Sequence, residues 1–332
     1  MRWSIKYWGR RHLNRFKELG VTIKEYFANS RASKLNKKNY LERSILLCSH
    51  SIEKGMGLRN FEPGHSVKGV QHLCNLLGSF VKHGYVYNFS FKIGLTTVRE
   101  YIKYQDSFEN CDKSFLIPLK KHYEELVSLV DKSVISEIEN YKCGVSLYNS
   151  EDNSAYFETY EKLVKSRHSI RMFSNEKVSD DIIEKAISLA NMSPSACNRQ
   201  PNRVYFSNKK EIADIIDKLI TGNKGFEHEL SNYIILTTKR GYFSGEEQFQ
   251  WYINGGIYLA NLTMALHSMG IGTCIMQWRA FYKTEKVLKK ICGIEKDEAI
   301  IAIIGLGYYE KDTKVISAQR MSVDETLRKV GY

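Results

Sequence analysis

Two short runs between Ser166 and Arg203 concentrate side chains that can hold a polar ligand. The first, Ser166-Arg167-His168-Ser169-Ile170-Arg171-Met172-Phe173, sets two guanidinium groups, an imidazole and hydroxyls within a few residues. Arginine offers a planar fork of donors that matches phosphate oxygens and stays charged at any working pH. Arg167, His168, Ser169 and Arg171 therefore suit a phosphate and the polar chain attached to it. The second run, Ser193-Pro194-Ser195-Ala196-Cys197-Asn198-Arg199-Gln200-Pro201, holds two of only four prolines in the chain. It places Ser195, Asn198 and Gln200 behind Pro194 on a rigid loop, as hydrogen bonding to a flat heterocycle requires. The plain alternatives are a solvated loop with one salt bridge, and a loop whose polar groups satisfy their own backbone. Cys197 has no nearby base and reads as a small filler.

The elements around these runs follow from periodicity. Ser179 before Asp180 and Asp181 caps a helix whose Ile182, Ile183, Ala186, Ile187 and Ala190 share a face, and Pro194 stops it. Arg203–Ser207 and Tyr233–Thr238 are strand-like, with a helix over Lys210–Ile220 between them. Glu246–Met269 has a long helical pattern interrupted by Gly255-Gly256, which points to close approach by another backbone. Glu298–Gly305 reads as a strand buried on both faces, and a basic tail begins at Lys311. Residues 1–140 are mostly helical, with one continuous amphipathic helix expected over Lys120–Asn140. A polar stretch from Gly144 to Ser154 reads as a linker, dividing a helical domain at 1–150 from an α+β domain at 156–332.

Together the two runs resemble the signature of the nitroreductase family of FMN-dependent oxidoreductases. The resemblance covers about Tyr160 to Val330 and implies a three-layer α/β/α fold with a mixed sheet. By that resemblance, Arg167, His168 and Ser169 contact the FMN phosphate and ribityl chain, and Arg171 approaches the pyrimidine edge of the ring. Pro194, Ser195, Asn198 and Gln200 lie over the flavin, in the family commonly that of the partner subunit. Gly270-Ile271-Gly272-Thr273-Cys274-Ile275-Met276-Gln277 resembles the strand behind the flavin, where an amide near Met276 or Gln277 would face flavin N5. The Glu246–Met269 helix resembles the family's central dimer helix, and Arg320 stands where the tail returns an arginine to the phosphate. Two positions depart from the pattern: Asn202 replaces an aromatic residue, and Ala318 stands where relatives have a lysine, a role left to Lys314 or to none. Asn223 and Lys224 are candidates for the pyrimidine side. The implied activity is ping-pong transfer of hydride from NADH or NADPH through FMN to a small-molecule acceptor, in a homodimer. Alternatives are oxygen-dependent cleavage on the same cofactor, or a scaffold role in polysaccharide biosynthesis. The second of these follows from His50-Ser51-Ile52-Glu53-Lys54-Gly55, which resembles an N-terminal extension of nitroreductase-like proteins in bacterial polysaccharide gene clusters. In plain structural terms His50 and Glu53 make a helix-face hydrogen bond.

Composition bounds the reading. The 332 residues are 43% hydrophobic and 26% charged, ordinary for a globular chain. The longest apolar run, Ala299–Leu306, is far short of a membrane helix. Seven cysteines without a C-x-x-C pair and nine scattered histidines argue against a disulfide framework and a metal centre. A reduced, cytoplasmic setting is expected. Of the net charge of +12, most sits in residues 1–40, which hold eleven Lys or Arg against two Glu. Trp3, Ile5, Tyr7, Trp8, Leu13 and Phe16 interleave with those charges. The segment fits a solvated basic helix packed on its own domain, or peripheral contact with an anionic membrane. A nucleic-acid arm fits less well.

Overall fold

A computed structural model describes residues 37–147, 154–220, 222–247, 249–276, 278 and 282–331, with five isolated positions between 16 and 23. The basic segment 1–40 thus lies almost wholly outside the described residues.

The first half is helical: α1 (Lys37–Met56), α2 (Val67–Lys82), α3 (Phe89–Asp106), α4 (Leu116–Ser128) and α5 (Lys132–Ile138). Leu41, Ile45, Ile52 and Met56 recur on one face of α1 and meet Leu73 and Leu77 of α2 and Phe91, Leu95 and Val98 of α3 in one core. The helix expected over Lys120–Asn140 is broken in two. Asp131 takes an extended conformation (φ −55°, ψ 136°), and its carbonyl accepts from Val134 and Ile135 to open α5. Val130 and Ile138, on either side of the break, are both in the core. Glu53 accepts from the Gly144 amide at 3.1 Å, the structural role read for the His50–Glu53 face.

The second half runs α6 (Ser154–Ser166), α7 (Asp180–Ala190), β1 (Asn202–Ser207), α8 (Lys210–Leu219), β2 (Asn232–Lys239), α9 (Gln250–Ser268), β3 (Gly272–Met276), α10 (Tyr282–Cys292), β4 (Glu298–Gly307) and a short α11 (Val323–Thr326). The four strands pair antiparallel in the order β1-β2-β4-β3. A parallel bridge from Ser169 to Thr273 on the outer edge of β3 makes the sheet mixed. Alternation along β2 sends Ile234 and Leu236 to one face and Tyr233 and Ile235 to the other. The first face packs on α7 and α9 through Ile183, Ala186, Tyr258 and Leu262. The second packs on α8 and α10 through Ala213, Ile216 and Leu288. Both faces are covered, so β2 is buried along its whole length and β4 at every position but Ile301.

Helix α9 starts four residues later than the Glu246 expected from its pattern. Glu247 is used as an acceptor for the Ser244 amide at 2.8 Å, and Phe249 is left-handed at φ 70°, so neither joins the helix. The two glycines of α9 differ. A Cβ on Gly255 would stand 2.6 Å from Ile301, so this glycine serves helix-to-sheet packing within the chain. A Cβ on Gly256 meets nothing within 4 Å. Gly256 lies on an exposed apolar face with Tyr252, Ile253 and Ile257. No described helix is long and apolar enough to cross a membrane.

Candidate functional site

The 166–173 run is laid along the open edge of β3. The Ile170 amide donates to the Thr273 carbonyl at 3.0 Å, and the Ser174 amide donates to the Tyr308 carbonyl at 2.8 Å. Gly272 is required there, because a Cβ would stand 2.7 Å from the Tyr309 ring and 2.8 Å from Ile170. The close approach that this glycine permits is made by the chain itself.

The run gains a partner that the sequence left among the scattered histidines. His267, at the end of α9, meets the Ser166 hydroxyl at 2.8 Å through Nε2. Burial, then the charges of Arg167 and His168, hold its imidazole below the ordinary histidine range. Ser166, His168, His267, Lys311 and Thr313 line a recess of 110 Å³. Among the described residues, the side chains of Arg167, His168, Ser169 and Arg171 make no hydrogen bond or ion pair, so their donors are open to a ligand. Arg171 lies close enough to Cys274 to oppose the burial that pushes this thiol up. Two guanidinium groups and an imidazole with unpaired donors suit a terminal phosphate, although the Glu310 carboxylate also borders the recess. The residues present therefore fit the phosphate end of FMN.

Strand geometry corrects one donor. Thr273 turns its carbonyl outward to Ile170, so alternation aims the Ile275 amide outward as well and turns Met276 toward β4. The Met276 side chain is buried. Ile275, with an exposed side chain, offers the edge amide near this end of β3, and Gln277 lies outside the described residues. Arg320 is exposed on the tail and makes no described contact with the 167–171 run; Lys311, rather than Lys314, lines the recess. Asn223 is buried and donates to Asp217 at 2.8 Å, which removes it as a ligand donor, while Lys224 is exposed.

The Ser193–Pro201 loop sits elsewhere, at the start of β1. Cys197, Asn198 and Gln200 are left-handed at φ 51°, 49° and 48°, each costing on the order of 1–2 kcal/mol outside glycine. The loop is fastened accordingly. The Gln200 amide donates to Ser195 Oγ at 3.0 Å, Gln200 Nε2 donates to Asn198 Oδ1 at 3.1 Å, and the Ala196 amide donates to Asn254 Oδ1 of α9 at 2.8 Å. Pro194 and Asn198 are exposed, whereas Ser195 and Gln200 line a small cleft with Asn191, Asn202 and Tyr258.

The main fastener is Arg199, which the sequence reading passed over. Its side chain is fully buried (0% exposed). It donates to the Ala196 carbonyl at 2.9 Å, to the Tyr242 carbonyl at 2.6 Å and to Glu247 Oε2 at 2.9 Å, with the Phe243 ring 4.6 Å beneath it. Burial raises the Glu247 carboxyl, but its bonds from Arg199 and the Ser244 amide outweigh that and hold it below the usual carboxylate range.

A second recess, of 560 Å³, opens between β1, α8 and α10. Its Tyr205 and Tyr233 hydroxyls already donate to Glu298 and Asp217, which leaves this recess poorly suited to a phosphate.

The sequence model of the nitroreductase family matches residues 164–232 and 231–308, an interval that contains both runs and the whole sheet. The chain carries a nitroreductase-family domain. The chain is 26% identical over 156 residues to an Archaeoglobus fulgidus protein provisionally named NADH dehydrogenase/NAD(P)H nitroreductase, a match covering 46% of this chain and 86% of that one. It is 22% identical over 213 residues to an iodotyrosine deiodinase of Hydra vulgaris, covering 55% and 77%. Among solved structures, an FMN-dependent nitroreductase of Clostridium difficile R20291 superposes with a TM-score of 0.44 at 17% identity, over 51% of this chain and 98% of that one. The helices α1 to α5 of the nitroreductase-like chain fall outside the family match.

Proposed function

We propose that the chain is a homodimeric, FMN-dependent NAD(P)H oxidoreductase that reduces a small-molecule acceptor by ping-pong hydride transfer. The observation that carries this reading is the cluster of unpaired donors on Arg167, His168, Ser169 and Arg171 in the run bridged to the edge of β3. When bound, FMN supplies the hydride chemistry, and the chain supplies position and charge. In this reading Arg167, His168 and Ser169 hold the phosphate end. The phosphate offsets the two charges that now depress His267, so its imidazole is easier to protonate once the anion is seated. Arg171 stands one pleat further along the run, at the ring's pyrimidine edge. Its charge favours the anionic reduced form. Arg320 and Lys314 join the phosphate only if the tail refolds onto it.

The first run lies outside β3 and the second leads into β1, so four strand spacings, or about 19 Å, separate them across the sheet. That separation supports a site shared by two copies, with the Pro194–Gln200 loop of one reaching the cofactor on the other. Exposed apolar faces of α9 and α6, the latter carrying Tyr156, Phe157, Tyr160 and Val164, supply the surface for such a pairing. The helical part within residues 1–150 is read as a separate unit docked on this domain. No role in polysaccharide biosynthesis or at a membrane is assigned to it.

Mass analysis of the cofactor released from purified protein is the direct test. One FMN per chain is expected; FAD, or no flavin after reconstitution, contradicts the reading. Arg171→Ala is expected to weaken FMN binding and to lower the reduction potential of what remains. A charge-assisted contact of this kind contributes about 1.5–3 kcal/mol. Potentiometry on the variant measures it, and an unchanged potential with unchanged affinity would remove Arg171 from the site.

A further inference from the structure

Helix α1 lies outside the family match, yet it packs on the two segments that shape the Pro194–Gln200 loop. Arg43 Nη1 donates to the Phe243 carbonyl at 3.1 Å. Its guanidinium also lies in the field of Glu247, which attracts it, and of Arg199, which repels it. Leu46, one turn further along α1, is buried against Tyr242 and Phe243, with Ala196 of the loop and Trp251 of α9 packed on the same cluster. Asn39 Nδ2 donates to Asp297 Oδ2 at 2.8 Å and ties the start of the helix to the turn before β4. A chain of contacts therefore runs from Arg43 to the Phe243 carbonyl, from the Phe243 ring and Glu247 to Arg199, and from Arg199 to the Ala196 carbonyl inside the loop. The loop at the end of this chain holds three left-handed residues that are not glycine, a conformation that persists only where its surroundings enforce it.

We infer that Arg43 is a positioning residue for the cofactor loop: it braces the Phe243 turn against which Arg199 packs, and so the helical half of the chain sets the loop's conformation. The effect on flavin rests on the reading above; the effect on the loop does not. Arg43 itself touches no proposed ligand atom. Removal of Arg43 leaves the Phe243 carbonyl without this donor and frees the turn to move with Arg199.

Hydrogen exchange on the full-length protein without added flavin, followed by FMN titration, tests this on Arg43→Ala and Arg43→Lys. In Arg43→Ala, the amides of residues 196–200 are expected to exchange roughly tenfold faster while those of α2 and α4 keep their rates, and FMN affinity is expected to fall by a similar factor. Arg43→Lys keeps a cation and a donor and is expected to restore both to within about threefold of wild type. Unchanged loop exchange in Arg43→Ala overturns the inference. So does equal acceleration in the loop and in α2 and α4, which is global destabilisation, and so does equal loss in the alanine and lysine variants. A wild-type protein that binds no FMN refutes the cofactor reading alone, because the exchange comparison still decides the role of Arg43.

Discussion

Glu247→Ala is expected to destabilise the folded chain by about 3 kcal/mol, near the lower end of what breaking a buried ion pair costs. The cost comes from the partner left behind. Arg199 is fully buried and has Glu247 as its counter-ion, so the variant strands a guanidinium among Phe243, Tyr242 and Ala196. Glu247 is itself 31% exposed, which is why the upper end of the range is not expected. The double variant with Arg199→Met is expected to recover part of the loss, because no charge is then stranded. The same pair fixes a pH dependence. The Glu247 carboxyl is held below its unfolded value, so its contribution is fully present above the unfolded glutamate pKa of about 4.3 and is lost as pH falls through the lower folded value. Urea unfolding at neutral pH and again below pH 4 measures both effects. A loss under about 1 kcal/mol at neutral pH would show that the loop does not depend on this pair.

Gly256→Leu is expected to abolish both the dimer and flavin binding while leaving the protomer folded. Within its own chain an added Cβ at Gly256 meets nothing within 4 Å, and replacing a mid-helix glycine favours the helix by about 0.5–1 kcal/mol. Bulk on this face is costly only where a second copy is pressed against it. Gly255→Leu is the internal contrast, since its Cβ would collide with Ile301 and should destabilise the protomer itself. Light scattering and flavin content on the same sample read the outcome. A monomer that still holds FMN stoichiometrically contradicts the shared site.

Local pattern made much of the domain legible. The helix start after Ser179, the face Ile183–Ala186–Ala190, the β1 and β2 runs and the doubly buried β4 all follow from spacing, because their neighbours along the chain decide them, though the Ser179 hydroxyl makes no cap hydrogen bond. The 167–171 run is a candidate on its chemistry alone. What was not legible depends on residues far apart in sequence. Arg199 pairs with Glu247 48 positions on, and Ser166 meets His267 101 positions on; neither pairing has a period to betray it. An arginine between Asn198 and Gln200 in a turn gives no sign that it will be the bulkiest fully buried side chain. Met276 was misassigned as a donor because strand parity depends on which residue bonds Ile170, a tertiary contact. The break at Asp131 was missed because the apolar stripe continues across it: Leu126, Val130 and Ile138 all reach the core whether or not the helix is continuous.

Anaerobic titration of the flavin-loaded protein with NADH and then NADPH, followed by absorbance, tests the central claim most directly. The account predicts that at least one of the two bleaches the flavin band stoichiometrically and that an added acceptor restores it, with Arg167→Ala holding too little flavin to titrate. A yellow protein that keeps its spectrum in the presence of both nicotinamides would contradict a reductase built on this site.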